Sequence, residues 1–151
     1  MFKYSIMIAR SHEDALHPLA RRLKTALASH DLLALVLVLK QLGDDKDIHM
    51  SLEPDYYEEP LIFALNNKCP SIIIKTLLDA GSNPNATDVF GNSALMCAVQ
   101  TGDLEAVKTL VTAGACPEYT NCGDYGQMDC FSVPMDGTIK KYLIDKMRSN
   151  S

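Results

Sequence analysis

The sequence predicts an all-α solenoid, in which short helix-turn-helix units stack side by side. The first observation is a repeat with a period of about 33 residues, because the phrase IKTLLDAG ends at Gly81 and the phrase VKTLVTAG ends at Gly114. The second is helical spacing: apolar residues recur at i, i+3 and i+4 in two short segments of one unit. Two short helices cannot cover their own apolar faces, so neighbouring copies must share one continuous core.

The clearest unit runs from Asp88 to Ala115. Gly102 and Asp103 lie in its middle, where a turn and a new helix start are needed, and Gly114 is placed to end the second helix in a left-handed conformation. The apolar stripes of the two helices are Leu95, Ala98 and Val99, followed by Val107, Leu110 and Val111. The unit is therefore predicted to be turn, helix, turn, helix.

Three weaker units surround this one. A unit from Asp55 to Ala86 precedes it, and LKTALASHDLLALVLVLKQLG, beginning at Leu23, keeps the same two-helix spacing. The segment before Asp145 is shortened and is predicted to close the array, with Phe131 as one of its apolar residues. We therefore divide the chain into an N-terminal extension or capping helix (1–22), a repeat domain (23–145) and a C-terminal tail (146–151).

These residues resemble the ankyrin repeat family. The unit from Asp88 keeps the family's opening Asp and Gly91, and its closing Gly-Ala. The family's Thr-Pro-Leu-His is replaced by SALM from Ser93 and by EPLI from Glu59, so packing is expected to hold the units where Thr–His hydrogen bonds are missing. The resemblance implies an ankyrin-repeat solenoid with finger loops, whose function is to bind other proteins.

Composition favours a soluble domain in a reducing compartment. The chain has 151 residues, of which 47% are hydrophobic and 22% are charged. Its longest apolar run, 32–39, is too short to span a bilayer as a helix, and the N-terminus does not resemble an export signal. Five cysteines are an odd number at irregular spacing, which fits free thiols better than a disulfide framework. The expected location is the cytoplasm, without membrane association.

Negative charge is concentrated in one segment. The net charge is −5, and the segment 44–59 contains seven acids and one base. Nucleic acid is a poor partner for such a chain, because binding it requires neutralised phosphates. We expect a protein partner with a basic surface, whose approach is steered by Asp44, Asp45, Asp47, Glu53, Asp55 and Glu58.

No arrangement of residues in the sequence predicts catalysis or metal binding. Phosphate-cradling glycine loops, paired-histidine metal motifs and nucleophile elbows are missing. The segment DDKDIH from Asp44 lacks the glycine and the final glutamate of a calcium loop. Cys116, Cys122 and Cys130 are spaced more widely than zinc ligands usually are. The expectation is a protein that is not an enzyme and has no cofactor and no metal.

The candidate site consists of finger tips and one concave face. Tyr57 and Phe90 are one repeat period apart, so stacking should place them on the same edge of the array. Large apolar groups at exposed tips are favoured anchors in protein interfaces, although they could instead pack onto a neighbouring finger. In the family, the first helix of each unit supplies the concave face. The predicted contacts are Tyr56, Tyr57, Glu59, Asn66, Asn67, Val89, Phe90, Asn92, Gln100, Thr101 and Tyr125.

The sequence therefore predicts a protein-binding module that inhibits or neutralises its partner, as an immunity protein does. An adaptor and a homo-oligomeric scaffold that self-associates through its aromatic edge are the alternatives in the same class. A metal or redox site built on the C-terminal cysteines is an alternative in a different class.

Overall fold

The structure is a computed structural model, and it describes residues 18–42, 52, 58–118 and 129–149. These residues contain no β-strand, and the one backbone bridge among them joins Thr87 to Ser93. The prediction of stacked helix-turn-helix units is confirmed. The seven helices are α1 Pro18–Ala28, α2 Leu32–Leu42, α3 Pro60–Asn66, α4 Ser71–Asp79, α5 Ala94–Thr101, α6 Leu104–Thr112 and α7 Gly137–Ser149, with a short 3-10 helix at Cys130–Ser132 before α7.

The helices form two layers. The inner layer places α3 between α1 and α5, and the 3-10 helix packs on the far side of α5. The outer layer follows the order α2, α4, α6 and α7. Each unit contributes one helix to each layer, so the core lies between the layers and runs the length of the array.

The inner helices are buried almost all round. Every residue of α3 from Pro60 to Leu65 is buried, and so is every residue of α5 from Ala94 to Val99. A helix that is apolar all round needs neighbours on several sides, and α3 has α1, α4 and α5. Full burial of one leucine contributes about 1.5–3 kcal/mol, so these short helices are stable only within the stack.

The outer helices bury one stripe each, and the stripe repeats with the period of the sequence. In α4 it consists of Ile73, Ile74 and Leu77, and one period later in α6 it consists of Ala106, Val107 and Leu110. The opposite faces carry ion pairs between near neighbours, such as Lys75 with Asp79 at 2.6 Å. This amphipathic division orients each outer helix toward the core.

The turn between the two helices of a unit has the same geometry in the first three units. His30, Lys68 and Gly102 occupy equivalent places and have φ values of 54°, 52° and 70°. Glycine adopts this left-handed conformation without steric cost, whereas a side chain at the same place is strained. Lys68, which stands where the family usually has glycine, adopts the same left-handed conformation as Gly102, so the turn is preserved in spite of the strain.

Side chains define several helix starts. The Ser93 hydroxyl accepts a hydrogen bond from the Met96 N–H at 3.2 Å at the start of α5. Asp103 accepts two backbone N–H groups at the start of α6. Such caps satisfy donors that have no partner within the helix. The predicted helix start at Asp103 is thus confirmed by its hydrogen bonds.

The first and last described helices are α1 and α7. Helix α1 begins at Pro18, and α7 ends at Ser149. In α7, Ile139 and Leu143 are buried and face α6. Helix α7 therefore packs against α6, the outer helix that precedes it.

Candidate partner-binding face

The loop between α4 and α5 forms a hairpin finger around Asp88. Its backbone N–H donates to the Asn92 carbonyl at 2.9 Å, and its carbonyl accepts the Gly91 N–H at 3.0 Å. Its side chain accepts the backbone N–H groups of Phe90 and Asn92 at 2.9 and 2.8 Å. Gly91 has φ +80°, which suits glycine. One carboxylate thus holds the tip in a defined shape.

Val89 and Phe90 lie at the tip of this finger and are exposed. Their exposed fractions are 54% and 66%, although both are large apolar residues. Interface anchors are often aromatic groups on a rigid support. The hairpin supplies that support, because the Asp88 carboxylate accepts hydrogen bonds from the backbone N–H groups of Phe90 and Asn92 and from the Asn92 side-chain amide.

A cleft of about 470 Å³ lies between the finger and helix α3. We call it the finger cleft, and the described residues that line it are Glu58, Asn66, Asp88, Val89 and Phe90. Four of these five were sequence candidates, three as partner contacts and Glu58 as a steering charge. The fold brings them together from the start of α3, from its end and from the next finger along the chain.

Two of the described residues that line the cleft are acids. Glu58 and Asp88 contribute carboxylates, and the Asn66 amide lies 3.5 Å from Glu58 Oε1. Both carboxylates also act electrostatically on the thiol of Cys97 in α5. Burial, with a smaller contribution from the charges of Asp88 and Glu58, raises the pKa of Cys97 to about 12. The two acids therefore concentrate negative potential in the same region, although they are far apart in the sequence.

The other predicted partner contacts differ in what their side chains do. Asn67 donates its amide to the Phe63 carbonyl at 2.8 Å, and Thr101 donates its hydroxyl to the Ala98 carbonyl at 2.9 Å. Asn92 donates its amide to Asp88 at 2.8 Å. These three groups stabilise helix ends or the finger. Gln100 is exposed at the end of α5, and Glu59 is half-buried at the start of α3.

Some predicted contacts lie outside the described residues. They are the finger aromatics and most of the steering acids, namely Tyr56, Tyr57, Tyr125, Asp44, Asp45, Asp47, Glu53 and Asp55. Among the aromatic residues that the sequence predicts at finger tips, Phe90 lies within the described residues.

Sequence reasoning did not assign Asp88 to the site. It treated Asp88 as the residue that opens the repeat, and the structure shows it both holding the finger and lining the cleft. The sequence feature that could have assigned Asp88 to the site is its position just before the tip residues Val89 and Phe90, because this position keeps its carboxylate close to the tip. A second unpredicted feature is the Lys24 ammonium, 5.8 Å from the centre of the Phe63 ring.

The buried cysteines have the properties of core residues. Cys69, Cys97 and Cys130 are between 1% and 3% exposed, and burial raises their pKa to about 11, about 12 and about 12. The thiols of Cys69 and Cys130 donate to the carbonyls of Leu27 and Pro117. A protonated thiol is a poor nucleophile and a poor metal ligand.

The described part of the chain also bears on metal binding and on membrane insertion. No group of three or more His, Cys, Asp or Glu side chains there is arranged to hold a metal ion. None of the helices in that part is both long enough and apolar enough to cross a bilayer.

Comparison with known proteins agrees with this architecture. The ankyrin repeat domain of Bcl-3, described as a unique member of the IκB protein family, superimposes with a TM-score of 0.69 at 28% identity. The match covers 86% of this chain and 52% of that one. A putative ankyrin repeat protein of fowlpox virus (strain NVSL) is 38% identical over 55 residues, which are 36% of this chain and 13% of the viral protein.

This chain therefore spans about half of the Bcl-3 domain structure and a small part of the fowlpox protein. The family model for three copies of the ankyrin repeat matches residues 23–121, which is more than half of the chain. Together with the stacked units and the hairpin finger, this match establishes that the chain belongs to the ankyrin repeat family.

Proposed function

We propose that this protein is a non-enzymatic binding module, which holds a partner protein against its finger and concave face. Ankyrin repeats are generally protein-interaction modules, and that role belongs to the family. The observation that carries the proposal is the exposed pair Val89 and Phe90 on a hydrogen-bonded hairpin beside the finger cleft. A rigid apolar tip next to polar groups has the composition of an interface centre with its rim.

The partner that fits has a basic surface, and this surface covers the second and third units of the array. The finger cleft carries two carboxylates, and the segment 44–59 before it is rich in acids. Helix α1 has the opposite charge, because it contains Arg21, Arg22 and Lys24. A partner should therefore dock with its basic part over the finger rather than over α1. Association should slow as salt rises, because screening weakens steering.

Inhibition is the consequence that we propose for this binding. A partner whose basic surface is covered by the finger and the concave face cannot present that surface to its own ligands. We place this event in the cytoplasm without a membrane or nucleic acid, and the buried free thiols of Cys69, Cys97 and Cys130 support a reducing environment.

The experiment compares two pairs of apolar truncations in the full chain. Val89→Ala with Phe90→Ala removes the tip, and Leu33→Ala with Ile72→Ala removes exposed apolar groups of similar size from the outer helices, where their exposed fractions are 70% and 51%. Both double variants should keep the helical circular dichroism and melt near the wild type. Immobilised wild type and both variants are then used to isolate the partner, which is identified by mass spectrometry and purified.

Titration calorimetry with the purified partner gives the result. The tip variant should lose most of its affinity, whereas the outer variant should keep it. The partner's own activity is measured with and without the wild type, and saturation should lower it. Equal affinities of the two double variants would show that the finger is not the binding site.

A further inference from the structure

We infer that the finger cleft is a receptor for one arginine side chain of the partner. This inference rests on the proposed function and adds the chemistry of the anchor that the partner supplies. It is carried by the size of the cleft, its charge and the kinds of side chain that line it.

The size of the cleft suits one long side chain. Its volume is about 470 Å³, which lies within the roughly 300–1,000 Å³ range of small-molecule pockets, so an arginine side chain fits together with part of the backbone that carries it. A partner helix or strand needs a longer groove, whereas the described residues of these walls belong to one short helix with the residue before it and to one hairpin. The finger cleft can therefore take a single extended group that reaches in from a partner backbone outside.

The charge of the cleft selects a cation. Two of the five described lining residues, Glu58 and Asp88, are acids, and none of the five is basic. The finger holds the Asp88 carboxylate in place, because the two carboxylate oxygens already accept hydrogen bonds from N–H groups of Phe90 and Asn92. Each carboxylate oxygen can accept more than one hydrogen bond, so this geometry leaves capacity for a ligand. A fixed anion is a strong acceptor for a charged donor.

The remaining lining residues favour guanidinium over ammonium. Phe90 offers an aromatic face, Val89 an apolar surface for the methylene stem, and Asn66 an amide oxygen. Guanidinium is planar, stacks on aromatic rings and donates several hydrogen bonds at once, whereas ammonium is a compact and strongly hydrated charge. The combination of two acids, one amide and one ring therefore matches arginine better than lysine.

The test titrates labelled full-length protein with four short peptides that differ in one residue. Capped Gly-X-Gly peptides carry arginine, lysine, citrulline or norleucine at X, and amide chemical shifts are followed by NMR. Peptide concentrations up to about 20 mM bring millimolar dissociation constants into range. The arginine peptide should move the amides of Asn66, Phe90 and Gly91, and it should bind at least about threefold more tightly than the lysine peptide. Citrulline has the shape of arginine without its charge and should leave these amides in place.

Variants locate the binding. Glu58→Gln and Phe90→Leu should each weaken the arginine peptide by at least about threefold, because one removes a charge and the other removes the ring. Glu105→Gln is the matched control, since Glu105 is an exposed acid on the outer helix α6, paired with Lys108. It should leave the affinity unchanged. The inference is overturned if the arginine peptide moves none of these amides, if citrulline moves them equally, or if lysine binds as well as arginine.

These outcomes can be separated from those of the binding proposal. If the arginine peptide does not bind but the tip variant loses the purified partner, the finger is the site and the arginine inference alone is wrong. If the peptide binds as expected while the tip variant keeps its partner, the cleft receives arginine but the proposed docking face is wrong.

Discussion

The side-chain oxygen Oδ1 of Asn85 accepts a hydrogen bond from the backbone N–H of Cys116 at 2.9 Å. The two residues lie 31 positions apart, at the ends of successive units. The bond therefore connects the loop after α4 to the loop after α6, and it helps to set the spacing between successive units.

Replacing Asn85 with alanine should destabilise the fold. The Cys116 N–H would lose its partner, and one hydrogen bond contributes about 1 kcal/mol to the free energy of unfolding. Urea unfolding monitored by circular dichroism measures this loss. Asn66→Ala is the matched control, because the Asn66 amide makes only a 3.5 Å contact with Glu58. Equal unfolding midpoints for the two variants would show that the Asn85 bond adds nothing.

Two serines should respond in opposite ways to alanine. Both are buried, but the Ser82 hydroxyl has no hydrogen-bond partner among the described residues, whereas the Ser93 hydroxyl caps α5. Ser82→Ala should raise the free energy of unfolding by about 1 kcal/mol, since it removes an unsatisfied buried group. Ser93→Ala should lower it by about 1 kcal/mol, since it removes a cap. Thermal melts of both variants provide the measurement, and a fall in stability in Ser82→Ala would contradict the first expectation.

The turn at Lys68 offers a gain in stability. Its φ of 52° is strained for a residue with a side chain and free of strain for glycine. Lys68→Gly should therefore stabilise the protein by about 1 kcal/mol. Lys68→Ala removes the same charge while keeping the strain, so it separates the backbone effect from the loss of charge. A glycine variant that melts at or below the alanine variant would refute this account.

The buried thiols should make the protein sensitive to alkali. The folded pKa values of about 11 for Cys69 and about 12 for Cys97 lie above the ordinary value of 9.0. Well below pH 9.0 the thiols are protonated in both the folded and the unfolded state. As pH rises from there toward 12, the unfolded chain releases these protons first, and stability falls.

Urea unfolding at a series of pH values above 9.0 measures this loss. Cys97→Ala should lose less stability over the interval than the wild type, because one raised pKa has been removed. Val99→Ala is the control, since Val99 is buried in the same helix as Cys97 and carries no titratable group, so its slope should match that of the wild type. If the stability of Cys97→Ala fell with pH as steeply as that of the wild type, the Cys97 thiol would not contribute to the alkaline loss of stability.

The repeated architecture could be predicted from local information. Helical periodicity needs only residues three or four positions apart, as in Val107, Leu110 and Val111, and the repeat period shows directly which copies must pack together. Turn positions were also readable, because a glycine such as Gly102 occurs where the backbone requires a positive φ. His30 and Lys68 take the same conformation without that signal, and only the chain path around them shows it.

The sequence alone determined the helical units, their order and the exposure of Phe90 at a finger tip, since these depend on short-range pattern and on period. The tertiary structure decided which of the polar candidates face one cleft. Glu58 and Asp88 become neighbours only because α3 and the next finger stack, and Asn67 and Thr101 turn back to their own helix ends. Side-chain direction depends on the neighbours that packing supplies, and no local pattern along the chain records it.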